Sequence, residues 1–158
     1  VSQQSSTKQK SNNLFYEKFW KEFISDLSFD DPGQPTPNLT KSTNLYLYLP
    51  TKQAWISAYF MNSRNRVGVY FRVGNTQLGR EIARLLEAEK DAILAELGGE
   101  NIISYMEEEV AGVGVHFPCD DVFADINRDS IKQFFALWLN NFVNVFRPRL
   151  KEIRDSLD

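Results

Sequence analysis

Apolar side chains recur at helical spacing near the start of the chain, between Leu14 and Leu27, and polar segments flank this stretch. The first eleven residues are dominated by Ser, Gln and Lys. Because they offer too little apolar surface to bury, we expect a disordered tail over 1–11, followed by a first helix capped by Asn12 or Asn13. Three prolines and a glycine within 30–37 then predict a loop.

After this loop the apolar period changes to two, which is typical of strands with one buried face. Three strands with short links are predicted over 44–50, 53–62 and 66–73, with a hairpin turn at 63–65. Consecutive strands joined in this way form an antiparallel meander. Two further strands are predicted over 101–107 and 112–118, and in the second of them the apolar residues alternate with other residues.

Two more amphipathic helices complete the pattern. The first follows Gly74 and runs to the Gly98-Gly99 pair, which is a stop signal for a helix. The second begins near Asn127, and Pro148 is expected to kink or end it. The resulting order, α-β-β-β-α-β-β-α, predicts an α+β fold in which helices pack on one face of an antiparallel sheet of about five strands.

Length, charge and cysteine content limit the class of protein. The chain has 158 residues and is 42% hydrophobic, so we expect 12–158 to form a single domain. The net charge of −3 disfavours non-specific DNA binding by the whole surface, although a local basic patch stays open. The lone Cys119 allows no internal disulfide and favours a reducing, cytoplasmic setting. Since no apolar run reaches the length of a membrane span, we expect no membrane partner.

Strand alternation predicts a candidate binding surface on the sheet. If the apolar set faces the helices, aromatic rings and arginines must share the opposite face, because side chains alternate across a strand. The predicted binding residues are Tyr46, Tyr48, Trp55, Tyr59, Arg66, Tyr70 and Arg72, with Arg64 at the adjacent turn. We expect this face to mediate a homodimer or interdomain contact. The alternative is a stacking platform for single-stranded nucleic acid, with bases on the rings and phosphates on the arginines.

No motif in the sequence assembles a catalytic site. The second and third predicted strands carry no acidic residue, whereas a restriction-type nuclease needs carboxylates and a lysine on such a pair. The acidic run 107–109 is interpreted as a solvated turn. His116, Cys119, Asp120 and Asp121 cluster in sequence, but they fall short of a structural zinc site. We therefore expect no catalytic residue and no cofactor, with a metal-dependent hydrolase built on that cluster as the weaker alternative.

Four stretches of the chain, in this order, resemble one bacterial family. They are FYEKFW over 15–20, NSRNRVGV over 62–69, LLEAEK over 85–90 with its continuation to Gly98, and FVNVFRPRL over 142–150. Together they resemble the bacterial domain of unknown function numbered 4268, from about Leu14 to Lys151, although 100–125 does not align. That family commonly stands alone or at the end of restriction-type or defence-associated nucleases. The resemblance implies a non-catalytic accessory domain of a bacterial DNA-processing or defence protein, and it brings no catalytic residue.

Overall fold

The computed structural model describes residues 2–99, 102–104 and 111–157, and only the backbone of 2–9. Its elements are helix α1 (Ser2–Asp26), strands β1 (Asn44–Leu47), β2 (Ala54–Met61) and β3 (Arg66–Val73), helices α2 (Gln77–Glu87) and α3 (Lys90–Leu97), strands β4 (Ile102–Ser104) and β5 (Gly112–Pro118), and helix α4 (Asp125–Leu157). The five strands form one antiparallel sheet in the order β1-β2-β3-β5-β4. The predicted α+β class and five-stranded antiparallel sheet are confirmed.

The strands agree closely with the predicted bounds. β3 and β5 match them, while β1 and β2 are shorter by a few residues. The link between β2 and β3 is a 3-10 turn over Asn62–Arg64, followed by Asn65 with a left-handed φ of 50°, a conformation that asparagine tolerates. This turn sets Met61 opposite Arg66 and so fixes the register of the hairpin. The remainder of the predicted fourth strand and the acidic run 107–109 lie outside the described residues.

One face of the sheet is buried under the helices. Its buried apolar side chains are Leu45, Leu47, Ala54, Ile56, Ala58, Phe60, Val67, Val69, Phe71, Val73, Val113 and Val115. α4 crosses this face, and the ring of Phe146 stacks on Phe71 of β3 with the ring centroids 3.9 Å apart and the planes 4° from parallel. The helices therefore lie on one side of the sheet, as predicted, and α4 covers its centre.

Aromatic rings attach α1 to the same face. Phe19 and Trp20 are fully buried, and both rings contact Phe60 of β2 and Phe135 of α4. The indole nitrogen of Trp20 donates a hydrogen bond to the carbonyl of Ser42 at 2.9 Å. Burial of this large side chain therefore leaves its one polar atom satisfied.

α1 begins at Ser2, so 2–11 are helical where the sequence predicts a disordered tail. The first 26 residues contain no glycine or proline, and Gln and Lys are favourable in helices. No local signal therefore stops the helix towards its N-terminus. Lys10 and Ser11 are solvent-facing, and burial along the helix begins at Tyr16.

The single long helix predicted before Gly98 is divided into α2 and α3. At the division the backbone N–H of Glu89 donates to the carbonyl of Leu86 at 2.9 Å, three residues back, which is a tighter turn than that of an α-helix. The carboxylate of Glu89 then lies 3.4 Å from Nε of Arg149 on α4. The end of α3 is as predicted, because Gly98 adopts a left-handed φ of 67°.

α4 does not end at Pro148, as one form of the prediction had it, but continues to Leu157. An interior proline costs a helix about 3 kcal/mol. Beyond it Leu150 and Ile153 are both buried in the core, and full burial of such a side chain contributes about 1.5–3 kcal/mol. The burial of these two residues offsets the cost of the proline. Within the described ranges no helix is both long and apolar enough to cross a membrane.

Polar side chains of α4 hold the proline-rich loop in place. Asn140 and Asn144 donate to the carboxylate of Asp30 at 2.9 and 3.0 Å, and these bonds keep the pKa of Asp30 below its usual value. Nη1 of Arg147 donates to Oε1 of Gln34 at 3.1 Å. The polar residues of this helix therefore position a loop that has no regular structure of its own.

We expect Phe146→Ala to destabilise the domain strongly, because it removes the ring that packs on Phe71 in the middle of the core. The expected loss in the free energy of unfolding is about 3–5 kcal/mol, measured by urea denaturation. Leu137→Ala on the same helix is the control, since Leu137 is 56% exposed and should change stability by no more than about 0.5 kcal/mol. Similar losses for the two variants would contradict the assigned core.

Candidate functional site

The open face of the sheet carries most of the residues predicted to bind a partner. The side chains that alternate with the buried set are Tyr46 of β1, Trp55 and Tyr59 of β2, and Arg66, Tyr70 and Arg72 of β3. Their exposure differs widely, since Tyr46 is 51% exposed and Tyr59 only 7%. Trp55, Arg66 and Tyr70 are half-buried, and Arg72 is exposed. The face is therefore open at Tyr46 and Arg72 and covered at Tyr59.

Two predicted binding residues flank this face. Tyr48 follows the last residue of β1, is 53% exposed, and its hydroxyl accepts a hydrogen bond from Nδ2 of Asn38 at 2.5 Å. Arg64 ends the 3-10 turn between β2 and β3 and is exposed. The structure thus brings six of the eight predicted residues onto the strands of one face and leaves these two at its margins.

Large and small side chains alternate across the strands. One row runs Tyr46, Ser57, Tyr70, Gly114, and the next runs Asn44, Tyr59, Gly68, His116. Small side chains between rings leave room for the rings to lean over the sheet. Ser57, for example, is fully buried although it lies on the open face.

Tyr59 lies directly over the bare backbone of Gly68. The two residues are cross-strand partners, and a Cβ added to Gly68 would lie 2.4 Å from the tyrosine hydroxyl. An aromatic ring that covers a strand glycine in this way compensates for the missing side chain. The hydroxyl of Tyr59 is hydrogen-bonded to Nδ1 of His116 at 2.7 Å. Since its ring is mostly covered, Tyr59 positions His116 and offers little surface for stacking a ligand.

A pocket of about 370 Å³ opens on this face. Residues that line it include Asn44, Tyr59, Arg66, Tyr70, Arg72, Ile103, Gly112, Gly114 and His116. Gly112 and Gly114 of β5 contribute no side chain, so the surface is depressed next to Tyr70. Its volume is near the lower end of the range for small-molecule sites, about 300–1,000 Å³.

A polar network orders one end of the pocket. Nδ2 of Asn44 donates to the hydroxyl of Tyr70 at 3.4 Å, and the guanidinium of Arg72 lies 4.6 Å from the centroid of the Tyr70 ring. The pKa of Tyr46 is raised, mainly by burial and to a smaller extent by a hydrogen bond with Tyr70. Tyr46 is therefore neutral at physiological pH and does not cancel the charge of Arg72.

The other end of the pocket is basic, and one of its hydrogen-bond donors has no partner. Nε of Arg66 is buried and has no hydrogen-bond partner. The pKa of His116 is lowered, mainly by burial and to a smaller extent by the positive charge of Arg66. Its imidazole is therefore neutral at pH 7. Among 2–99, 102–104 and 111–157, no Asp or Glu lines this pocket. An acidic chain therefore presents a locally positive pocket that is suited to an anion.

The sequence reasoning missed the part that His116 plays. It considered His116 only with Cys119, Asp120 and Asp121, as a cluster that falls short of a zinc site, whereas the imidazole lines the open-face pocket and Cys119 is buried with Sγ 3.4 Å from the carbonyl of Asp121. In the part of the chain that the structure describes, no three His, Cys, Asp or Glu side chains gather into a metal site. The signal available in the sequence was β5, where Gly112, Gly114 and His116 alternate with the buried apolar residues.

Comparison with known proteins identified no relative of this chain. A scan against protein-family models found no matching family, and searches of the curated proteins and of the solved structures found no match. The resemblance to family 4268 therefore stays a prediction.

We expect Gly68→Ala to disturb this site, because the new methyl group would overlap the Tyr59 ring and displace it from His116. The expected cost is about 1–3 kcal/mol of unfolding free energy, measured by thermal or urea denaturation. Gly114→Ala is the matched control, since a Cβ there meets Cβ of Tyr70 at an ordinary 3.8 Å. In the Tyr59→Ala background the cost of Gly68→Ala should shrink, and an undiminished cost would contradict the contact.

Proposed function

We propose that this domain is a non-catalytic binding module whose open sheet face binds single-stranded nucleic acid. The observation that carries the proposal is a pocket with two arginines and neighbouring aromatic rings, and no carboxylate among its described lining residues. By resemblance to family 4268, the module would be an accessory domain of a bacterial DNA-processing or defence protein.

The charge of the face supports an anionic ligand. Arg66 and Arg72 have no carboxylate beside them in the described pocket. If two copies of this face packed centre to centre, these positive charges would be buried without counterions, which is costly. Phosphate groups would neutralise them and release counterions into solution.

The rings support a single strand over a duplex. Tyr46 and Trp55 offer ring surface to solvent, and the guanidinium of Arg72 lies over the ring of Tyr70. Unpaired bases stack on aromatic rings and on guanidinium planes, whereas the bases of a duplex are already stacked on one another. Arg66 and Arg72 lie near opposite ends of β3, about 20 Å apart at Cα, so they would contact separate phosphates with the rings between them.

We expect purified protein to bind single-stranded DNA or RNA with an affinity that falls steeply as salt increases. The Arg66→Ala/Arg72→Ala variant should weaken binding and flatten the dependence of log affinity on log salt by about 1.4, which is about 0.7 for each lost phosphate contact. Fluorescence anisotropy with labelled single strands and duplexes measures both quantities. The control is Arg80→Ala/Arg84→Ala, which removes the same charge from the exposed surface of α2.

A matched pair at Tyr46 separates stacking from charge in the same assay. Tyr46→Leu removes the ring and should cost about 1–3 kcal/mol if a base stacks there, whereas Tyr46→Phe keeps the ring and should bind normally. The proposal is wrong if no strand binds at low salt, or if the α2 control weakens binding as much as the pocket variant does.

The edge of the sheet supports a second candidate function, an oligomer or interdomain contact. β1 is an edge strand, and the neighbouring Tyr46 and Tyr48 are about half exposed. Exposed tyrosines are frequent at the energetic centres of protein interfaces, and an unpaired strand edge accepts another strand. This contact would use the rim of the face and leave the positive pocket open.

If the second candidate holds for a homodimer, the protein should self-associate as its concentration rises, with little dependence on salt. Tyr46→Ser/Tyr48→Ser should shift it towards the monomer, because the variant removes the exposed rings, while Arg66→Ala/Arg72→Ala should not. Sedimentation velocity over a range of concentrations measures this. A monomer at every concentration would rule out the homodimer.

A further inference from the structure

We propose that the Arg66 end of the pocket is a seat for a phosphate group, formed by Arg66, His116 and Tyr59. The inference rests on the proposed function, because it names the group of the nucleic acid that the pocket recognises. It nonetheless has a direct test of its own, since a seat of this kind would also bind free phosphate.

The first observation is that the buried Nε of Arg66 has no hydrogen-bond partner. In the described part of the chain, three arginines have a buried Nε without a hydrogen-bond partner. Two of them lie beside carboxylates, since Arg128 is 3.6 Å from Glu22 and Arg149 is 3.4 Å from Glu89. Arg66 makes no ion pair within the described part of the chain. The side chain of Arg66 is half-buried and its Nε is fully buried, so an anion bound at Arg66 would supply the partner that carboxylates give the other two arginines.

The fixed imidazole of His116 is the second observation. Its Nδ1 is bonded to the hydroxyl of Tyr59, which is held in turn against Gly68. When the tyrosine hydroxyl donates to Nδ1, the proton of a neutral imidazole lies on Nε2, which leaves that nitrogen as a donor. The pocket therefore offers a second, oriented donor close to the charge of Arg66.

Phosphate fits these donors better than a carboxylate does. A guanidinium binds two oxygens of either group, but a terminal phosphate offers a third acceptor oxygen and a charge of about −1.5 to −2 at neutral pH. The Nε2–H of the imidazole can donate a hydrogen bond to that third oxygen. The pocket also extends from Arg66 to Tyr70 and Arg72, which leaves room beside the phosphate for the sugar and base attached to it.

The chain contains one histidine, so its proton NMR titration reports on this seat alone. Among the described residues, the charged or titratable groups that face the imidazole are Arg66 from β3 and Tyr59 from β2, while Ile103 of β4 carries no charge. In the free protein the pKa of His116 lies below its ordinary value. A bound anion stabilises the imidazolium, so inorganic phosphate should raise this pKa by about one unit or more, compared with chloride at equal ionic strength.

Three variants test the assignment. Arg66→Gln should abolish the response to phosphate, and it should raise the pKa of His116 in the absence of phosphate because the neighbouring positive charge is gone. Gly114→Leu should also abolish the response, since its side chain would fill the pocket while Arg66 stays in place. The surface variant Arg80→Gln should respond as the unaltered protein does. An unchanged phosphate response in Arg66→Gln would overturn the seat.

Oligonucleotides distinguish the two sources of phosphate. If only strands with a 5′- or 3′-terminal phosphate raise the pKa of His116, the seat takes a chain end; if unphosphorylated strands do so as well, it takes a backbone diester. Strand binding without any response to inorganic phosphate or to a terminal phosphate would overturn the seat and leave the proposed function standing. A phosphate response without strand binding would support the seat and overturn the proposed function.

Discussion

The stacking of Phe146 on Phe71 determines which side of the sheet is solvent-facing. Because side chains alternate along a strand, burying Phe71 under α4 turns Tyr70 and Arg72 to the opposite face. The antiparallel register then fixes which side chains of the neighbouring strands share each face, since every residue of β3 has a partner on β2, and Arg66 to Arg72 also have one on β5. A register shift of one residue would exchange the two faces completely. The candidate site thus depends on a contact in the core that no ligand would touch.

No helix covers the open face in the described structure. Side chains of the strands cover part of that face instead. Tyr59 lies on Gly68, and Arg72 lies against Tyr70. These contacts hold polar groups in fixed directions before any ligand arrives, which lowers the entropic cost of binding. The same arrangement concentrates positive charge in a chain whose total charge is −3. Local geometry, and not the overall charge, is therefore the better guide to the partner of this protein.

Strand periodicity predicted the sheet well, because a two-residue repeat identifies both the strand and its buried face; β3 and β5 match the predicted bounds. The division between α2 and α3 could not be predicted, since no glycine or proline marks it and the pairing of Glu89 with Arg149 exists only in the folded chain. The burial of Tyr59 required the register of the hairpin, which places Gly68 opposite it. The sequence analysis considered His116 only together with its neighbours in sequence. Strand alternation along β5 is what places its side chain on the open face of the sheet.

The central position of α4 has a consequence for how the chain folds during synthesis. Its contacts with Asp30 and Glu22 span 110 residues of sequence, and β1, β2 and β3 are all made before it. At about 5–20 residues per second, the apolar side of this hairpin meander waits several seconds for the helix that covers it. Such a long-range topology slows folding, and an uncovered apolar sheet is prone to aggregation. The order of synthesis therefore leaves the core side of the meander without its cover until the last fifth of the chain has been made.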